Sequence, residues 1–178
     1  MRASRAAPVS SITIGTAVVR AISGTPIFAP GTTPYGRAPD PQTRKYGFEL
    51  VHGAHKLRAA CEEQAHEAPY FGLGKASVGL YCTCQEGETV QAALLLSEGR
   101  GQASLPEQAR YTVWEGHEDE RGGRAHAILG YRFRGAKGEA AIDITESPRA
   151  YLPEQLDETQ RAPLTCLFAA LLLHQPLK

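Results

Sequence analysis

The sequence lacks the features that mark several common classes of protein. Among its 178 residues, no unbroken apolar run approaches the length of ~18 residues that a membrane-spanning helix needs. It has no Gly-x-Ser-x-Gly elbow, and Phe71–Lys75 resembles a phosphate-binding loop but lacks the Ser or Thr that should follow the lysine. The only tryptophan, Trp114, has no aromatic neighbours to make a stacking platform. We therefore expect no transmembrane segment, no cofactor, no nucleic acid and no enzymatic activity.

Acidic residues are absent from the first 39 positions. Residues 1–45 contain six basic side chains against Asp40 alone, although the net charge of the whole chain is zero. The remainder is therefore net acidic, and a basic arm on such a body either binds an anionic partner or folds back on its own domain. Residues 23–43 are rich in proline and glycine, which indicates a linker. We predict an N-terminal arm over 1–45 with one strand near Ile12, and a folded domain over 46–178.

Cysteine is scarce, and four residues are too few for a secreted disulfide framework in a chain of this length. Cys61, Cys82 and Cys84 fall on the apolar sides of alternating segments. Cys166 lies within an apolar run. The pattern predicts four buried, reduced thiols without a bound metal, and hence a cytoplasmic protein.

Alternating apolar and polar residues dominate the chain from Tyr46 to Ile144. One face of residues 78–84 is apolar, and the same period returns at Leu129, Tyr131 and Phe133. Turn signals such as Glu86-Gly87-Glu88 separate these segments. About eight short strands at this spacing favour a mainly β protein, an antiparallel meander closed as a barrel or sandwich.

The C-terminal segment changes to a helical pattern. Asp157 is a suitable N-cap, with Gln160 three residues later. The alternative is a kink at Pro163, or a helix that begins later with Pro163 in its first turn. Residues 164–173 are almost entirely apolar, and a helix that is apolar on every side must be surrounded by protein. We predict that Leu167, Phe168, Leu171 and Leu172 are buried, with the helix inside the barrel.

A meander of hairpins followed by Ala150–Gln175 resembles the tubby-like superfamily. This superfamily includes tubby C-terminal domains, LURP-one-related proteins and phospholipid scramblases. The resemblance implies a barrel of strands wrapped around a hydrophobic C-terminal helix, entered through an Asp-containing turn, here Leu156-Asp157. The scramblase calcium loop and the tubby lipid-binding signature are absent, so neither activity is implied.

Two sets of polar residues are candidates for a functional site. His52 and His55 flank a two-residue turn, which places their imidazoles as a cross-strand pair that can hold a metal for hydrolysis. A polar hairpin tip is the other interpretation of this pair. Basic residues form the second set, which suits an anionic partner. Its members are Arg121, Arg124, Arg132, Arg134 and Lys137.

We therefore expect a non-catalytic binding or assembly module that engages a protein or an anionic lipid or phosphate surface. Solvated strand charge is the ordinary alternative for the basic residues. A second hypothesis is a hydrolase that uses a metal bound by His52 and His55. A structural component of an oligomer is the third, and the sequence leaves the oligomeric state open.

Overall fold

The structure is a computed structural model that describes residues 11–14, 16–21, 43–66, 77–117, 127–145, 148–154 and 156–174. The predicted linker over 23–43 lies outside the described residues, except that Thr43 begins a strand. Arg121 and Arg124 also lie outside them.

The described residues form eleven strands and one helix. The strands are β1 (Ser11–Ile14), β2 (Ala17–Ala21), β3 (Thr43–His52), β4 (His55–His66), β5 (Ser77–Glu86), β6 (Thr89–Ser97), β7 (Arg100–Ser104), β8 (Arg110–Gly116), β9 (Gly130–Gly135), β10 (Gly138–Asp143) and β11 (Arg149–Tyr151). Each pairs in antiparallel fashion with its neighbours in sequence, so a single sheet runs from β1 to β11. The prediction of a mainly β, antiparallel meander is confirmed, with more strands than the sequence suggested.

The N-terminal segment contributes to this sheet. The sequence predicted one strand there and did not decide whether it joins the main sheet. The structure has two, β1 and β2, and β2 pairs with β3 along Val18–Ala21. Ala17 and Val19 are buried in the core. Their burial gives the pairing a hydrophobic contribution in addition to the backbone hydrogen bonds.

The inner face of the sheet carries the predicted apolar positions. Leu57, Ala59 and Cys61 are buried on β4, and Tyr131 and Phe133 are buried on β9. One continuous cluster of buried residues extends from β2 to β10. The alternation in the sequence therefore identified the inner face correctly, because successive side chains of a strand point to opposite sides.

Helix α1 (Glu158–Leu173) begins after the Asp157 N-cap, the first of the two starts that the sequence allowed, and Pro163 lies inside it. The Asp157 carboxylate accepts a hydrogen bond of 3.0 Å from the backbone N–H of Gln160. Leu167, Phe168 and Leu171 are buried, as expected. Leu172 is only partly buried, because it lies in the last turn, where the cover is thinner. No helix in the described part of the chain is long and apolar enough to cross a membrane.

Strands that are distant from one another in the sheet both contact the helix. The Tyr46 hydroxyl on β3 donates to the Ala170 carbonyl at 2.8 Å. The ring of Phe133 on β9 meets that of Phe168 edge-on, with centroids 5.2 Å apart. A helix is only about 10–12 Å across, whereas six strand spacings separate β3 from β9 in a flat sheet. The sheet therefore curves around the helix.

Two disulfides correct the prediction of four reduced thiols. Cys61 bonds to Cys82 on the adjacent strand, with Cα atoms 4.1 Å apart. Cys84 on β5 bonds to Cys166 in α1, with Cα atoms 6.4 Å apart. The sequence patterns correctly predicted that these side chains are buried, but burial does not distinguish a thiol from a disulfide. The expectation of a cytoplasmic location rested on free thiols and loses that basis.

Candidate functional site

The predicted basic residues fall on two different surfaces. Arg132 and Arg134 are exposed on the outer face of β9. Lys137 lies in the turn between β9 and β10. The structure therefore brings the two arginines together on one face, whereas Lys137 is directed to the start of the helix by its partners there.

Arg134 already has partners for its charge and its flat face. A terminal nitrogen lies 2.6 Å from the Glu139 carboxylate on β10. Its guanidinium carbon also lies 5.5 Å from the centre of the Trp114 ring on β8. The carboxylate neutralises much of the cation, so Arg134 is less available to an anionic partner than the sequence suggested.

Lys137 is also paired. Its ammonium donates to the Asp157 carboxylate at 2.8 Å and lies 3.5 Å from Glu107. The hydrogen bond from Lys137 lowers the pKa of Asp157, and the same bond raises the pKa of Lys137. Lys137 thus links the β9–β10 turn to the N-cap of the helix, which explains its position without a partner molecule.

The Lys137→Met substitution tests that assignment. We expect the pKa of the Asp157 carboxyl to rise, because the ammonium that hydrogen bonds to its charged form is lost. Carboxyl carbon chemical shifts followed through a pH titration measure this directly. Lys56→Met, on the exposed outer face of β4, is the matched control and should leave Asp157 unchanged. If the pKa of Asp157 is unchanged in Lys137→Met, the ion pair does not form and Lys137 is available to an anionic partner.

Arg132 differs from the other two residues. It is exposed, and no carboxylate among the described residues forms an ion pair with it. Trp114 is its cross-strand partner on β8, and Ala141 is its partner on β10. Tyr151 continues the same row on β11. An unpaired guanidinium therefore lies in a row that carries an aromatic residue on each side.

A cavity of about 420 Å³ opens beside Arg132, against β9, β10 and β11. We call it the outer cleft. Its lining includes Gly116, Gly130, Arg132, Ala141, Asp143 and Tyr151. Sequence reasoning identified Arg132 but missed Asp143 and Tyr151, because no local pattern places them beside it. A second cavity, of about 490 Å³, lies beside Trp114, Glu115 and His117.

The predicted histidine pair is present at the β3–β4 hairpin. His52 and His55 are cross-strand partners around a turn in which Gly53 has φ +58°. The Nδ1 atom of His55 lies 3.1 Å from the Glu86 carboxylate, whereas Nδ1 of His52 is buried without a hydrogen bond partner. No group of three or more potential metal ligands occurs among the described residues.

A buried ionisable pair escaped the sequence analysis. Nε2 of His174 lies 2.9 Å from the Glu63 carboxylate, and the Glu63 side chain is fully buried. Glu63 continues the inward alternation of Leu57, Ala59 and Cys61, so extending that pattern by two residues would have found it.

Burial, with added repulsion from the carboxylates of Glu115 and Glu63, raises the pKa of the nearby Tyr131 phenol.

The described residues therefore provide one open cleft beside Arg132, and ion pairs that join structural elements elsewhere. The lining of the cleft includes one cation (Arg132), one carboxylate (Asp143) and two tyrosines, of which Tyr151 is exposed and Tyr131 is buried. The Glu63–His174 pair joins β4 to the residue after α1, and the Lys137–Asp157 pair joins the β9–β10 turn to the N-cap of α1.

Comparison with known proteins found no matching family model, no matching curated protein and no matching solved structure.

Proposed function

We propose that the protein is a non-catalytic binding module that receives a phosphate group at the outer cleft. The observation that carries this proposal is the state of Arg132, an exposed guanidinium with no ion pair among the described residues. Arginine presents five N–H donors in a planar arrangement that matches phosphate oxygens. The adjoining cavity of about 420 Å³ lies within the usual size range of small-molecule sites.

Substitution of Arg132 tests this function. We expect Arg132→Gln to weaken binding of phosphate-bearing probes about tenfold or more, because a charge-assisted hydrogen bond is lost. The probes are pyrophosphate, followed by calorimetry, and phosphatidylserine vesicles, followed by co-sedimentation. Pyrophosphate binding alone indicates a soluble ligand, whereas vesicle binding alone indicates a membrane surface. The attraction should weaken with added salt, which screens exposed charges over ~8 Å at physiological ionic strength.

Two matched arginine variants sharpen the experiment. Arg134→Gln should have the smaller effect, because Glu139 already pairs with that cation. Arg58→Gln, on the outer face of β4 and 70% exposed, should have none. Equal binding by the wild-type protein and by Arg132→Gln would remove the outer cleft as the phosphate site.

Several broader expectations remain proposals. We infer that the curved sheet forms a barrel-like wall around α1, supported by buried residues that run from β2 to β10 in one cluster. A C-terminal helix held inside antiparallel strands also supports the tubby-like resemblance. Two disulfides favour an oxidising compartment over the cytoplasm. A protein partner or an anionic membrane both remain candidates for the source of the phosphate or other acidic group.

The hydrolase alternative has less support. The hairpin brings together only two imidazoles, and zinc sites ordinarily use three protein ligands or four. His55 is further engaged with Glu86. A structural role in an oligomer has no specific observation in its favour. Binding at the outer cleft is therefore the function that we carry forward.

A further inference from the structure

We propose that the outer cleft is a mononucleotide site, in which a planar base inserts between Arg132 and Tyr151 while its phosphate is held by Arg132. This inference rests on the proposed function, since the same guanidinium receives the phosphate. It goes further by assigning a second recognition element, the flat ring of the ligand. The geometry of three adjacent strands carries the argument.

The floor of the cleft includes two glycines and one alanine. Gly116 and Gly130 are cross-strand partners on β8 and β9, and Ala141 on β10 lies in the next row, opposite Arg132. A Cβ atom at Gly130 would overlap the backbone carbonyl oxygen of Ile142, so glycine allows the two strands to approach there. The result is a shallow floor of backbone and one methyl group, which leaves room for the edge of a planar ring that stands between the two walls.

The two walls of the cleft lie on strands β9 and β11, on either side of β10. Arg132 on β9, Ala141 on β10 and Tyr151 on β11 share one cross-strand row. Two strand spacings separate the outer members by roughly 9–10 Å between Cα atoms. A ring in van der Waals contact on both faces needs about 7–8 Å. The small side chain of Ala141 therefore leaves a slot of the right width for one aromatic ring.

Both walls are suited to stacking. Tyr151 is 53% exposed, and its phenol ring can pack against the face of an aromatic ligand. A guanidinium stacks on aromatic rings through its flat face and keeps its N–H groups in the plane. Arg132 can therefore contact a base with its face and hydrogen bond to the phosphate of the same ligand with its edge. A simple phosphate would use only the second of these contacts.

Asp143 supplies a hydrogen-bond acceptor to the cleft. It is the cross-strand partner of Gly130, and so lies one row from the Arg132–Tyr151 slot. One carboxylate oxygen accepts the backbone N–H of Thr145 at 2.8 Å. Among the described residues, no hydrogen bond is made to the other oxygen. A carboxylate accepts only, which suits the N–H groups of a nucleobase or the hydroxyls of a ribose.

Calorimetric titration of the full chain tests the proposal with two probes. Adenosine monophosphate should bind at least tenfold more tightly than ribose 5-phosphate, because only the nucleotide has a ring to fill the slot. Ala141→Leu should abolish this preference by placing a branched side chain in the slot. It should leave the weaker binding of ribose 5-phosphate unchanged. Ala93→Leu, on the outer face of β6, is the matched control and should retain the preference.

A second variant keeps the test decisive if Ala141→Leu fails to fold. Tyr151→Ala removes one wall through an exposed side chain and should also reduce the preference for the nucleotide about tenfold. Equal affinity for the two probes, with both lost in Arg132→Gln, would overturn the nucleotide inference and leave the phosphate-binding function standing. Binding of both probes that is unaffected by Arg132→Gln would overturn the two proposals together.

Discussion

Leu171→Asp is expected to abolish accumulation of the folded, soluble protein. Leu171 is 1% exposed within the helix that packs against the sheet. An unpaired buried carboxylate costs several kcal/mol, and the lost leucine packing adds about 2–5 kcal/mol, against a total stability of roughly 5–15 kcal/mol. Soluble yield and the melting temperature measured by circular dichroism give the result.

The same substitution at an exposed leucine is the matched control. Leu95 lies on the outer face of β6 and is 58% exposed, so Leu95→Asp should remain soluble with little change in melting temperature. Leu171→Ala gives a graded form of the first variant, which should fold with a lowered melting temperature. A Leu171→Asp protein that melts at the wild-type temperature would show that the helix is not held inside the sheet.

Removal of the Cys84–Cys166 disulfide should give the other large effect. The bond joins residues 82 apart in sequence and attaches the helix to β5. On the loop-entropy estimate, the paired substitution Cys84→Ala and Cys166→Ala should lower the free energy of unfolding by about 4.5 kcal/mol. Urea denaturation of the non-reduced protein measures this, because the midpoint and the m-value together give the free energy of unfolding in water.

The second disulfide is a built-in control for loop length. Cys61 and Cys82 are 21 residues apart, so Cys61→Ala with Cys82→Ala should cost less, about 3.3 kcal/mol. Thiol counting in denaturant without reductant should return no free thiols in the wild-type protein. A count of four would contradict both disulfides and restore the original expectation of reduced cysteines.

The outcome for the fold shows which information is local. Apolar and polar residues alternate with a period of two, and this alone assigned Leu57, Tyr131 and Phe133 to the inner face. Asp157 and Gln160 marked the helix start, because capping depends on residues three apart. Arg132 was placed on the outer face for the same local reason. The predicted number of strands was too low, because the alternation before residue 45 is weak and indicated one strand where the structure has the β1–β2 hairpin.

The sequence by itself determined which side of each strand faces the core, and where the buried helix begins. Only the tertiary structure decided which distant residues meet. The Cys84–Cys166 and Glu63–His174 pairs join positions far apart in the chain, and Tyr151 reaches the Arg132 row through the register of β9, β10 and β11. Alternation specifies a face but not a neighbour, because register and curvature arise from the packing of the whole sheet.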